Sequence, residues 1–183
     1  MPMCDAYIPQ NVLTPEAERK LFKTVSEILV SHEMRSVVEL MDSPELVEES
    51  KKRAQSISWM FVHRLETYVG GEQSVPPIYR FVVNVPQGQL DEIYIPAINR
   101  EIITAIREAE AGKWPELEHR LWIFAYEVPN GTWGAGGRPL HLGQIIDFIA
   151  PGWGNGAITR AHERRAKEAA EFVALAESHT ASV

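Results

Sequence analysis

Two stretches of this chain decide how it folds: Thr67-Tyr68-Val69-Gly70-Gly71 and Thr132-Trp133-Gly134-Ala135-Gly136-Gly137. In each, a threonine and an aromatic residue run into paired glycines just after an apolar segment. A landmark that recurs at the same place in a repeated order of elements is the trace of an internal duplication. Upstream of the first landmark, residues 3–8 read as a strand closed by Pro9-Gln10-Asn11. Thr14-Pro15-Glu16 then gives a cap, a proline suited to the first helical position and an acidic first turn. Leu21, Phe22, Val25, Ile28 and Leu29 recur at helical spacing, so a helix runs to about residue 31. Residues 57–65 are β-branched and aromatic and make the second strand.

The same order returns after the stiff connector Ser74-Val75-Pro76-Pro77. Residues 78–85 read as a strand, Pro86-Gln87-Gly88 as a break, 96–111 as a helix and 120–128 as a strand. Pro96 either starts that helix or kinks one begun at Asp91. The expected fold is α+β: two tandem β-α-β units in one four-stranded sheet, with two helices on one face. Residues 1–150 form this domain, with pseudo-repeats over about 2–73 and 78–142. A charged surface helix, started by Ser43-Pro44-Glu45, is inserted within about 33–55. Residues 151–183 form a helical tail, expected to lay Ala161, Ala169, Phe172 and Val173 on a neighbouring subunit. Trp59 and Trp122, in mid-strand, read as core residues.

Composition excludes several classes. The 183 residues carry a formal charge of −7, against a nucleic-acid footprint. The basic cluster Arg160, Arg164, Arg165 and Lys167 alternates with Glu163, Glu168 and Glu171, the pattern of a solvated helix face. No apolar run is long enough to cross a membrane, and MPMCDAYIP lacks the features of a signal peptide. A single cysteine, Cys4, allows no intrachain disulfide, so a cytoplasmic location is expected. His32, His119, His141, His162 and His179 show no metal-ligand spacing, and neither metal nor cofactor is expected.

Met1-Pro2 followed by a strand, then Leu13-Thr14-Pro15-Glu16-Ala17-Glu18 opening a helix, resembles the start of tautomerase superfamily members. Glu127-Val128-Pro129-Asn130-Gly131-Thr132-Trp133-Gly134-Ala135-Gly136-Gly137 resembles the Glu-x-Pro-x-x-x-Trp-Gly-x-Gly-Gly segment of the 4-oxalocrotonate tautomerase group. That group has one β-α-β unit per chain. Having two, this chain is most similar to the fused, trimeric members resembling cis-3-chloroacrylic acid dehalogenase. The likeness covers about residues 2–31 and 57–142.

The resemblance implies a homotrimer acting without a cofactor on a small carbonyl or enol substrate. Pro2, freed by loss of Met1, would be the general base or acid. A prolyl amine in an apolar pocket loses basicity and can take a proton beside a carbonyl at neutral pH. The structural alternative is that Pro2 merely stiffens the start of a strand. The substrate-binding candidates are Gln87, Gln89, Phe124, Trp133 and Arg138. Gln87 and Gln89 lie where the family dehalogenases carry two arginines; Phe124 matches their water-positioning tyrosine. Ala135 matches their glutamate, and Leu29 a histidine. These departures argue against hydrolytic dehalogenation or hydration and point to a less charged substrate. Trp133 is expected as a pocket wall or, alternatively, as a core aromatic. Arg138, like His63 and Arg64, is a basic group available for anchoring, with a surface role as the plainer reading. The rival to the enzyme is a non-catalytic trimer of the same fold, kept for binding or assembly.

Overall fold

A computed structural model describes residues 2–90 and 95–180. Within its helices the side chains at 36, 157, 164, 165, 168, 172 and 175–180 lie outside the described set, as do Met1 and Asp91. The first unit runs β1 (Met3–Pro9), α1 (Pro15–Glu33), α2 (Arg35–Val38), α3 (Pro44–Ser56), β2 (Trp59–Leu65) and a ribbon of β3 (Tyr68–Val69) with β4 (Glu72–Gln73). The second runs β5 (Tyr79–Pro86), α4 (Ile95–Ala109), β6 (Leu121–Val128) and a ribbon of β7 (Trp133–Ala135) with β8 (Arg138–Leu140). Two further helices follow, α5 (Leu142–Ile149) and α6 (Gly154–Thr180).

The caps foretold in the sequence are formed. The Thr14 hydroxyl accepts from the Ala17 amide at 3.2 Å and the Ser43 hydroxyl from the Leu46 amide at 3.4 Å. α4 begins one residue before Pro96, which occupies its first turn, where a missing N–H costs nothing. Both glycine pairs make the same turn. Gly70 and Gly71 have φ of 61° and 91°, Gly136 and Gly137 of 60° and 77°. Two successive positive φ values make the tight reversal whose twist matches a hairpin, and glycine adopts them without strain.

The main sheet has the order β2-β1-β5-β6. β1 runs parallel to β2 and β5 to β6, while β1 and β5 are antiparallel. Helices α1 and α4 cover one face. Cys4, Ala6 and Ile8 of β1 and Phe81, Val83 and Val85 of β5 meet Leu21, Val25 and Leu29 of α1 and Ile98, Ile102 and Ile106 of α4 in one buried core. The strand period of two sends the alternate residues to the other face. Trp59 and Trp122 lie there, 59% and 64% exposed. This corrects their reading as core residues: a mid-strand aromatic is buried only where its own face is covered. Each is edge-on to the phenylalanine two residues on, Phe61 at 6.4 Å and Phe124 at 6.0 Å. The middle of that face is more polar: His63 stacks on Tyr7 at 4.5 Å and Arg80 lies over Tyr7 at 4.0 Å.

The tail also departs from expectation. Ala161 of α6 is buried in its own chain with Val37, Leu142, Ile146 and Ala150, and Arg160 pairs with Glu39 at 3.2 Å. Ala169 and Val173 are exposed; the Phe172 side chain and, in the basic cluster, those of Arg164, Arg165 and Glu168 lie outside the described residues. No described helix is long and apolar enough to cross a membrane.

At one end of the sheet Arg120 is buried against Glu110, with Nη1 and Nη2 each donating to a carboxylate oxygen at 2.8 Å. Its other hydrogens go to the carbonyls of Pro77 at 2.6 Å, Pro115 at 2.9 Å and Trp114 at 3.3 Å. Arg120→Met should therefore lower the unfolding free energy by about 3 kcal/mol, because it strands a buried carboxylate. Arg19→Met, at an exposed pair with Glu16, should leave it near the wild-type value. Urea unfolding of both variants checks the contrast.

Burial, and then the charge of Asp5, push the Cys4 thiol up from 9.0 to about 12. A thiol raised in the folded state favours folding fully below its unfolded value, and that stabilisation is lost as pH rises from 9 through about 12. Cys4 should resist iodoacetamide at pH 8 until denaturant is added, and Cys4→Ala should flatten the fall in melting temperature between pH 9 and 11.

Candidate active site

Pro2 sits just ahead of β1, buried, with its carbonyl accepting a hydrogen bond from the Ser58 hydroxyl at 3.1 Å. It lines a narrow, mostly apolar pocket. The walls come from four directions. Val83 and Val85 of β5 and Ile123 and Ala125 of β6 form the floor, the inward half of each strand's alternation. The last turn of α1 adds Leu29, His32 and Glu33; the first turns of α4 add Ile95, Ile98 and Asn99. Gln89 and Leu90, from the turn after β5, complete it.

The turn carrying Gln89 is built by two constraints. Gly88 has φ of 96°, and a Cβ there would lie 2.6 Å from the Ala161 methyl, so only glycine fits. The Glu127 carboxylate accepts from the amides of Gly88 at 2.8 Å and Leu90 at 2.9 Å. Gln89, held between those two amides, is 9% exposed. Such charge-assisted bonds are among the stronger ones in proteins.

The polar groups of the cavity are few. His32 Nε2 lies 3.0 Å from Glu101 Oε1. Glu33 is 6% exposed. The Asn99 Oδ1 is buried without a hydrogen bond among the described residues, so that amide retains capacity for a ligand. No lysine or arginine is among the described residues lining it. Nor do the described residues contain a group of three or more His, Cys, Asp or Glu able to hold a metal ion.

Of the expected site residues, the chain brings Pro2 and Gln89 together. Gln87 points elsewhere: its Oε1 accepts from the Asn130 amide at 3.1 Å, and it lines a groove with Leu142, Ala161 and His162. Phe124 alternates with Ile123 and Ala125 and so stands on the opposite face, stacked on Tyr126 at 6.5 Å. Trp133 packs with Val30, Met34, Ala54, Ile145 and Ile149 in a second core, the alternative reading of that residue. Arg138 is exposed in β8. Arg64 pairs with Glu18, and His63 lies 3.3 Å from Asp5, both away from the cavity.

His32, Glu33 and Asn99 were missed as site residues. A signal existed for two of them. Glu33 extends the spacing of Leu21, Val25 and Leu29, and Asn99 follows Ile95 by one helical turn. A polar residue at a stripe position calls for a partner or a cavity.

No protein-family model matches the chain, and no curated protein matches it. Solved structures do match. A structure of Pt0534 inactivated by 2-oxo-3-pentynoate matches with a TM-score of 0.53 and 15% identity over 78% of this chain and 98% of the other. The macrophage migration inhibitory factor-like protein of Entamoeba histolytica matches at 0.53 and 10% identity, over 76% and 98%. Macrophage migration inhibitory factor of Oncomelania hupensis matches at 0.51 and 14% identity, over 94% and 96%. The chain therefore has the tautomerase and migration-inhibitory-factor fold, extended by C-terminal helices. The finer likeness to the chloroacrylic acid dehalogenase-like members rests on the sequence landmarks alone.

Glu127→Ala removes the acceptor of two buried-turn amides and should cost about 2 kcal/mol in urea unfolding. Val75→Ala, exposed in the connector before β5, should cost clearly less.

Proposed function

We propose that this chain is a cofactor-independent tautomerase or isomerase acting on a small carbonyl or enol compound through the amine of Pro2, exposed by removal of Met1. The observation that carries this reading is the burial of Pro2 in the wall of an apolar cavity. In one direction the nitrogen lone pair takes a proton from the carbon beside a carbonyl. The C–H electron pair becomes the C=C bond of the enol, and the carbonyl oxygen takes the charge. The amides of Gln89 and Asn99, on the same cavity, are suited to donate to that oxygen. Proton return to oxygen completes the exchange.

Assembly belongs to the same reading. The uncovered sheet face exposes Trp59, Phe61, Trp122 and Tyr126, and large apolar side chains gathered on one face mark an interaction surface. A homotrimer closing that face inward accounts for it. The single buried Cys4 suits a reducing cytoplasm.

The matched Pt0534 structure was inactivated by 2-oxo-3-pentynoate, and an alkynyl ketone of this kind is an electrophile that a free amine can attack. The same reagent should add its mass to the peptide beginning at Pro2. Ketonisation of an arylpyruvate enol, or of its uncharged methyl ester, should fall about 10²-fold or more in Pro2→Ala. Equal rates in the variant, or an intact mass that retains Met1 in protein from its own host, would leave the non-catalytic trimer as the function.

A further inference from the structure

The strand register lays out the uncovered face of the sheet as rows running across β2, β1, β5 and β6. One row is Trp59, Met3, Asn84 and Tyr126. The next is Phe61, Asp5, Val82 and Phe124. The third is His63, Tyr7, Arg80 and Trp122. Met3 is the partner of Trp59 just as Arg80 is of Trp122, a correspondence that sets Pro2 against Tyr79 one residue earlier. Both edge strands therefore keep a tryptophan and a phenylalanine two residues apart. The inner strands do not repeat: Asp5 corresponds to Val82, and Arg80 to Met3.

The charges of these rows are gathered at their centre. His63 Nε2 lies 3.3 Å from Asp5 Oδ1. The His63 ring stacks on Tyr7 at 4.5 Å, and the Arg80 guanidinium covers the Tyr7 ring at 4.0 Å. The groups that face His63 are thus Asp5 and Tyr7 from β1 and, across Tyr7, Arg80 from β5. Its own strand places Phe61 beside it on this face, and β6 adds Trp122 beyond Arg80. With the imidazole neutral, the Asp5 carboxylate and the Arg80 guanidinium cancel. With the imidazole protonated, the three rows carry one unit of positive charge.

We propose that this face closes on further copies of the chain only while His63 is neutral, so that acid opens the assembly. This rests on the homotrimer reading given above. Copies of one chain present the same patch to one another in a symmetric assembly. No copy can then offer its neighbour an opposite excess. A patch whose charges cancel internally packs against its like, whereas a patch with a surplus repels it. The surplus weighs more once the aromatic margins have excluded water from around it. Assembly and protonation of His63 therefore oppose each other. By linkage the stabilisation of the assembly is present at alkaline pH and is lost as pH falls through the range in which histidine gains its charge.

The test is sedimentation velocity of the full chain at micromolar concentration, between about pH 8 and about pH 5.5, with circular dichroism to follow the fold. The concentration at which half the chain is assembled should rise about tenfold or more in acid. His63→Gln, which gains no charge, should assemble equally at both ends of the range. Arg80→Gln should invert the dependence: Asp5 is then uncompensated at pH 8 and balanced when His63 is protonated, so acid favours assembly. That inversion separates the charge balance of this face from acid unfolding and from the fall in the chain's overall negative charge. Wild-type protein that assembles equally well or better in acid overturns the inference, as does Arg80→Gln following the wild-type direction. Either result leaves the homotrimer standing. A chain that is monomeric at every pH overturns both the homotrimer and this inference, and leaves the chemistry of Pro2 to its own test.

Discussion

The antiparallel pairing of β1 with β5 is the constraint on which the rest depends. Each β-α-β unit alone is a two-stranded sheet with one helix, too small to bury its apolar face. Joined along β1 and β5, the two sheets become one, and α1 and α4 share a single core. The same pairing decides where the site lies. Because the strands run in opposite directions, the start of β1 reaches the end of β5, with Met3 opposite Asn84. Pro2 belongs to the first half, yet the cavity floor beneath it is Val83, Val85, Ile123 and Ala125 of the second. A proline at the head of an isolated unit would find no such floor.

The duplication has diverged most at the two ends this pairing creates. At the end held by β5, Tyr79 fills the position of Pro2, and Arg120 and Glu110 close the space with a buried ion pair. That end is built for packing. The opposite end keeps a carboxylate, an imidazole and two amides around a cavity lined otherwise by aliphatic groups. The elements outside the repeat gather near the open end. Trp133, Val30, Ala54 of α3 and Ile145 of α5 form their own core there, so the additions buttress the end that retained space.

Local chemistry made much of this legible in the sequence. Thr14-Pro15 and Ser43-Pro44 cap helices because their side chains and fixed φ act within one turn, whatever surrounds them. The glycine pairs likewise specify a hairpin by themselves. Trp59 and Trp122 were not legible as exposed, because strand alternation says only that neighbours face opposite ways; which face is covered depends on the helices. Gln87 and Gln89 differ for a similar reason. Their separation suits a strand, in which both would share a face, but Gly88 turns the backbone between them, and Glu127 from a distant strand fixes the outcome. Gln87 thereby serves the Asn130 loop and Gln89 the cavity. Glu33 carried a readable signal, but the nature of its surroundings depended on strands from the other half of the chain.

Gly88 also ties the C-terminal helix to the cavity. Its Cα lies so close to Ala161 that no methyl group can be added between them, and α6 therefore rests directly on the turn that presents Gln89. A helix with no counterpart in the first half of the chain thus acts as a backstop for one wall of the cavity. Widening a side chain at position 161 would push on that wall from behind, altering the shape offered to a ligand without touching any residue that lines it.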